Sequence, residues 1–309
     1  MPHFALRFAD SHSAARYPLP VFGPIVFSSE GESRTLRLHL PHIPADWIVA
    51  ASFVTPGEAT PTHQFRLLTK EHTWSLLPVP SQAGERPDLV VQDPTVSVHI
   101  DCWHTHARIQ APQIELVINT IAAPRRYLVC ISARPLQLDV DAAASICIEA
   151  KPPQKFSQMT ATDALRHHIC SPTSVAMLLP GATRDPITSA CHDNATGLYG
   201  SWPMAVRAAA AEGAVAGVEL HDSWGQALHV LRQGHAFAAS IRFAPGALTG
   251  APLTSTSGHL VVVRGIRDRH VLVHDPAAAD DAATAVSYDI EEFSRAWLAS
   301  RGASYIIAP

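Results

Sequence analysis

Two adjacent prolines, in Lys151-Pro152-Pro153-Gln154-Lys155, separate two stretches of chain with different hydrophobic periodicity. Proline fixes φ and lacks a backbone N–H, so neither a strand ladder nor a helix runs through such a pair. Upstream, Thr35 to Leu40 alternates apolar and polar residues, the period of a half-buried strand. Short runs of strand-forming residues follow at 47–54, 64–68, 73–79, 89–91, 96–100, 113–119, 127–131 and 136–140. Pro56-Gly57, Pro61, Pro80, Pro87, Pro94 and Pro124 punctuate them. No strong helical period interrupts the series. Many short strands with regular breaks imply an antiparallel sandwich or barrel.

Downstream the pattern turns helical. Helices are expected over 171–179, from Ser201 through Glu212, over 222–233 and over 289–299. Pro172 sits in the first turn of one, where a missing N–H costs little, and Gly213 and Gly234 close two others. Strands are expected at 236–243, 259–266, 270–274 and 304–307. Helices first and an antiparallel sheet afterwards is an α+β order. The expected division is therefore an all-β sandwich-like domain over 1–148, a linker over 149–155 and an α+β domain over 156–309.

With 309 residues, 47% of them hydrophobic, the chain has material for two sizeable cores. The net charge of −4 and the absence of a basic stripe argue against nucleic-acid binding. Met1 to Pro20 carries Arg7, Asp10, His12 and Arg16, unlike the unbroken apolar stretch of a signal peptide. No segment reaches about 18 uncharged apolar residues, so no membrane span is expected. Five widely spaced cysteines in such a chain read as reduced thiols, with the cytoplasm as the expected compartment.

The chemistry concentrates in the second half. Cysteine hydrolysis needs a thiolate, a histidine that handles its proton and a group that orients the histidine. Unpaired N–H groups at a helix start favour a thiolate. Cys170 precedes Ser171-Pro172-Thr173-Ser174 and an apolar helical run, which is that position. Otherwise it would be a small buried apolar residue, as most free cysteines are. Gly258-His259 opens a strand that a short turn connects to Val271-Leu272-Val273-His274-Asp275-Pro276. In a tight hairpin the end of the second strand lies beside the start of the first, so Asp275 should approach His259.

The segments Ile169 to Met177, Tyr199-Gly200-Ser201-Trp202-Pro203, Gly258 to Gly265 and His274-Asp275-Pro276 resemble the motifs of stand-alone relatives of the bacteriocin-processing, double-glycine leader peptidases. The resemblance covers about 152–309 and implies a papain-like cysteine peptidase domain that needs no cofactor and acts on a peptide or related amide. It implies Cys170 as nucleophile, His259 as base and Asp275 as its orienting partner. It also implies a glutamine completing the oxyanion hole. Gln158 is the best match, at a longer spacing than the family's, with Gln154 as fallback. Ser171 stands where the family often has glycine. Ser171, Gly258 and Trp202 are the expected substrate-binding residues.

Other constellations compete. Cys191-His192-Asp193 is triad-like in composition, but adjacent side chains of an extended segment point apart. It reads as a loop with a core cysteine. If the stretch from His99 to His106 is extended, Cys102, His104 and His106 share a face and offer thiolate and imidazole to zinc or copper, without an evident fourth ligand. Arg166, His167 and His168 precede Cys170 and either tune its charge or simply meet solvent. The leading expectation is hydrolysis through an acyl-enzyme. Acyl transfer on the same triad, an inactive binding module and a metal-binding protein stand as alternatives. The β half could recognise substrate, cover the cleft or mediate dimerisation, and the oligomeric state stays open.

Overall fold

The computed structural model describes residues 3–81, 87–140 and 146–309. Its first half contains β1 (Phe4–Ala9), helix α1 (Ser11–Arg16), β2 (Ser28–Glu30), β3 (Ser33–His39), β4 (Trp47–Val54), β5 (His63–Leu68), β6 (Thr73–Ser75), β7 (Val90–Val91), β8 (Val96–His99), β9 (Cys102–Thr105), β10 (Gln113–Ile118) and β11 (Leu128–Pro135). They form two antiparallel sheets, ordered β1-β11-β4-β9-β8-β7 and β2-β3-β10-β5-β6. Phe53, Phe65, Leu67, Trp103, Ile114, Leu116, Val129 and Ile131 belong to the core between them. Alternation explains this core: along β5, His63, Phe65 and Leu67 are buried and the residues between them only partly so.

Strand β4 breaks the alternation, because all eight of its residues are buried. Its two faces serve two cores. Val49, Ala51 and Phe53 face the sandwich, whereas Ile48, Ala50 and Val54 join an apolar cluster that continues through the second half. β11 is divided in the same way, with Val129 and Ile131 inward and Leu128 and Cys130 toward the second half.

That second half contains β12 (Ile148–Glu149), α2 (Cys170–Leu178), α3 (Arg184–Cys191), α4 (Trp202–Ala211), β13 (Val215–Leu220), α5 (Trp224–Arg232), β14 (Phe237–Phe243), β15 (Thr256–Arg267), β16 (His270–His274), β17 (Ala285–Asp289), α6 (Ile290–Trp297) and β18 (Ala303–Ala308). The sheet runs β13-β18-β14-β15-β16-β17, and β12 also pairs with β15. Ile148 and Glu149 pair with Ile266 and Gly265, so the chain enters this sheet just before the two prolines. No helix among the described residues is long and apolar enough to cross a membrane.

Edge strand β13 joins the halves. Its Val218 and Leu220 N–H groups donate at 3.0 Å to the hydroxyls of Ser52 on β4 and Ser132 on β11. An edge that would otherwise present unpaired donors is thus satisfied by side chains of the first half. Gly217 is required there, since a Cβ would lie 2.6 Å from Cys130 Sγ and 2.8 Å from the Tyr17 hydroxyl.

Several sequence expectations change. Residues 136–140 form no strand; β11 instead extends to Pro135. Strands β1, β2, β9, β12, β13 and β17 and helices α1 and α3 were not expected. β13, Val-Ala-Gly-Val-Glu-Leu, lacks alternation because both of its faces are covered, and every residue in it is buried. Helix α3 carries Pro186 in its first turn and runs only eight residues, a short span from which to read a helical period.

Candidate active site

Helix α2 is buried on every side from Ser171 to Leu178, and Cys170 is its first residue. The Ser174 hydroxyl donates to the Leu260 carbonyl at 3.2 Å, tying the helix to the strand residue after His259. Ser171 turns its hydroxyl to Tyr305 at 3.0 Å, so it is fully buried and offers only its backbone toward Cys170. Cys170 itself is half-buried.

β15 and β16 are antiparallel, with Val262 opposite His274, which brings the start of one to the end of the other. His259 Nε2 lies 2.8 Å from Asp275 Oδ1, with both side chains almost fully buried. The remaining acceptor capacity of Asp275 is used: Ala277 N–H donates to Oδ1 at 2.8 Å and the Tyr288 hydroxyl to Oδ2 at 2.7 Å. A buried carboxylate with three donors stays ionised. Burial raises the Asp275 pKa, but His259, Tyr288 and the Ala277 N–H outweigh it and bring the carboxyl below its usual range.

The same balance acts on the other two groups. Burial lowers the His259 pKa, yet Asp275 and a hydrogen bond with Cys170 raise it to about 10. Burial pushes the Cys170 thiol up, yet His259 and the Leu260 and Ser171 N–H groups bring it below its usual value. With Nε2 on Asp275, Nδ1 is the nitrogen left for the thiol. The two shifts together favour a thiolate–imidazolium pair.

Burial raises the pKa of Cys102, Cys130 and Cys191, the last to about 12. Cys191 closes α3 within the core, and Asp193 of the competing string instead accepts from Ser81 at 2.6 Å. Cys102 Sγ and His104 Nε2 are 3.7 Å apart, but His106 bonds Ser97 at 2.5 Å. Among the described residues, no three His, Cys, Asp or Glu side chains converge as a metal site. His167 and His168 are exposed, and Arg166 pairs with Asp163 at 3.1 Å.

The glutamines separate clearly. Gln154 caps the far end of α2, where its amide donates to the Ala176 and Leu179 carbonyls at 3.1 and 2.6 Å. A nine-residue helix sets that end about 12 Å from Cys170, too far for the fallback role. The Gln158 backbone N–H donates to the Pro276 carbonyl at 2.8 Å, next to Asp275. Its side-chain NH₂ donates to the Arg166 carbonyl at 2.6 Å, and its Oε1 is buried without a partner.

Gly258 is exposed, with open space where a Cβ would lie. Trp202, expected in the cleft, is only 3% exposed and belongs to the core. It begins α4, and an indole there gains more from burial than a cleft position would give it. Tyr288 is the site residue that sequence reasoning missed. Its signal is slight: Val286 and Tyr288, two apart, precede a helix capped by Asp289. Only its pairing opposite Val271 aims it at Asp275.

Residues 154–305, just under half of the chain, match the Peptidase_C39 like family. No curated protein and no solved structure matches the chain.

Proposed function

We propose, from the match of residues 154–305 to the Peptidase_C39 like family, that the chain is a cysteine peptidase of papain-like architecture with Cys170, His259 and Asp275 as its triad. The buried 2.8 Å contact between His259 and Asp275, on a histidine whose pKa both Asp275 and Cys170 raise, carries this reading. The Cys170 thiolate attacks a peptide carbonyl, and the carbonyl electron pair moves onto oxygen. The first-turn N–H of Cys170 faces that oxyanion, since a helix leaves such groups without an internal acceptor. Gln158 is the second proposed donor, with one of its two amide N–H groups committed to Arg166. As the C–N bond breaks, the His259 imidazolium protonates the leaving amine. Neutral His259 then takes a proton from water, whose oxygen attacks the thioester and frees Cys170.

Labelling with an iodoacetamide probe at pH 6–7, followed by peptide mapping, tests the nucleophile. Cys170 should be modified well before Cys102, Cys130, Cys147 and Cys191. Labelling of Cys147 alone would end the proposal, because that thiol is simply the exposed one.

Tyr288 acts through Asp275. Tyr288→Phe keeps the ring that stacks on Phe293 at 6.1 Å and removes only the donor to Oδ2. A hydrogen bond to a charged group is worth about 1.5–3 kcal/mol, so turnover should fall by about tenfold or more. In an Asp275→Asn background the same change should cost little. Additive losses in that double-mutant cycle would show that Tyr288 merely supports the fold.

A further inference from the structure

The end of the sheet that carries His259 and Asp275 holds two arginines for which the proposed chemistry has no use. Antiparallel pairing brings the end of β14 and the start of β18 to that end. Arg301 lies two residues before β18, and its charge helps lower the Arg242 pKa, so the two guanidinium groups are neighbours. The Arg301 guanidinium lies over Trp202, the first residue of α4, and α4 packs against α2, so this corner is on the α2 side of the sheet. Neighbouring strands are about 4.8 Å apart, which sets them roughly one and two strands from the strand of His259, within a residue or two of extended peptide.

Neither arginine has a carboxylate partner within 4.0 Å among the described residues. Arg242 Nε donates to the Ser257 carbonyl at 2.9 Å, leaving its outer nitrogens open. It borders a shallow depression with Ser255, Thr256 and Ser257, the residues leading to Gly258 and His259. The Arg301 guanidinium lies over the Trp202 ring at 5.7 Å, which holds its plane.

The first half closes this corner. Asp101, between β8 and β9, accepts from the Trp202 N–H at 3.4 Å. Burial raises its carboxyl pKa, against the pull of Arg301. On the same hairpin the His99 and His104 rings are 4.0 Å apart. Burial and Arg301 lower both pKa values, so they line the corner as neutral groups.

We propose that Arg242 and Arg301 form an anion-binding subsite beside Cys170 that selects peptides carrying a carboxylate close to the scissile bond. Guanidinium forks match a carboxylate, and a bound anion relieves the repulsion between two unpaired cations. This proposal rests on Cys170 as the nucleophile, and the two fail separately.

The test compares alkylation of Cys170 by anionic iodoacetate and neutral iodoacetamide at low salt. If iodoacetamide leaves Cys170 unlabelled, the nucleophile assignment itself is wrong. Otherwise the rate ratio of iodoacetate to iodoacetamide reads the cationic field at the thiol. Arg242→Gln and Arg301→Gln should each lower it by about three- to tenfold, and 0.5 M salt should shrink the difference. Arg242 is exposed, so its variant remains informative if Arg301→Gln disturbs Trp202. An unchanged ratio in both variants overturns the subsite. N-acetylglycine and N-acetylglutamate α-amide then distinguish a chain-end from a side-chain carboxylate by which one protects Cys170 from iodoacetamide. Protection by neither beyond that of N-acetylglycinamide also overturns it.

Discussion

His259→Ala is expected to cut peptide turnover by about 10³- to 10⁴-fold and to remove the reactivity of Cys170 near neutral pH. In the wild type, the thiol pKa is depressed and the His259 pKa is raised to about 10. The reactive thiolate is therefore lost as pH falls through the Cys170 pKa. Proton donation to the leaving amine is lost as pH rises through about 10. Between these limits lies a broad plateau. Without the imidazole, burial, the largest influence on Cys170, is opposed only by two backbone N–H groups. The thiol should then ionise only in alkaline solution. Alkylation rates from pH 4 to 10 measure this directly. A variant that keeps the wild-type profile would mean that another group holds the thiolate.

Glu219→Ala should destabilise the whole chain by about 3–5 kcal/mol. Glu219, on β13, accepts from Arg7 on β1 at 2.6 and 2.9 Å and from Tyr17 at 3.1 Å. Arg7 is 5% exposed and Glu219 0%. Removing the carboxylate leaves a buried guanidinium without its counter-charge, which costs more than the pair itself contributes. Arg7→Met combined with Glu219→Met should recover much of the loss. Urea unfolding measures both, and a Glu219→Ala chain as stable as wild type would refute the argument. Because this pair, the serine-capped edge of β13 and the shared apolar cluster all span the halves, a chain starting near residue 150 should aggregate. It would expose the β13 face that β4 and β11 cover.

Strong local patterns were legible. The strand over Trp47–Val54 and the hairpin strand His270–His274 appear at their expected bounds, and α2, α4, α5 and α6 within one or two residues. Residues 1–148 read as all-β because alternation and proline punctuation are local. β13, covered on both faces, was missed for want of alternation, whereas equally buried β4 was read from its β-branched and aromatic residues. Likewise, proline pairs are visible in a sequence, whereas continuity of an apolar cluster across them is not.

The approach of His259 to Asp275 was readable because a tight hairpin fixes it within 16 residues. The place of Cys170 at a helix start followed from local composition. Arg7 with Glu219 and Arg242 beside Arg301 depend on contacts between elements distant in sequence, and Tyr288, though only 13 residues from Asp275, depends on the register of β17 across a long loop; no local signal encodes either. The burial of Trp202 and the capping role of Gln154 belong with them, because a side chain's surroundings are set by which elements pack over it. Residue types, local elements and the hairpin that brings a carboxylate to a histidine are properties of single segments and can be read from them. Which faces are covered is not, since burial and long-range pairing arise only when the layers assemble.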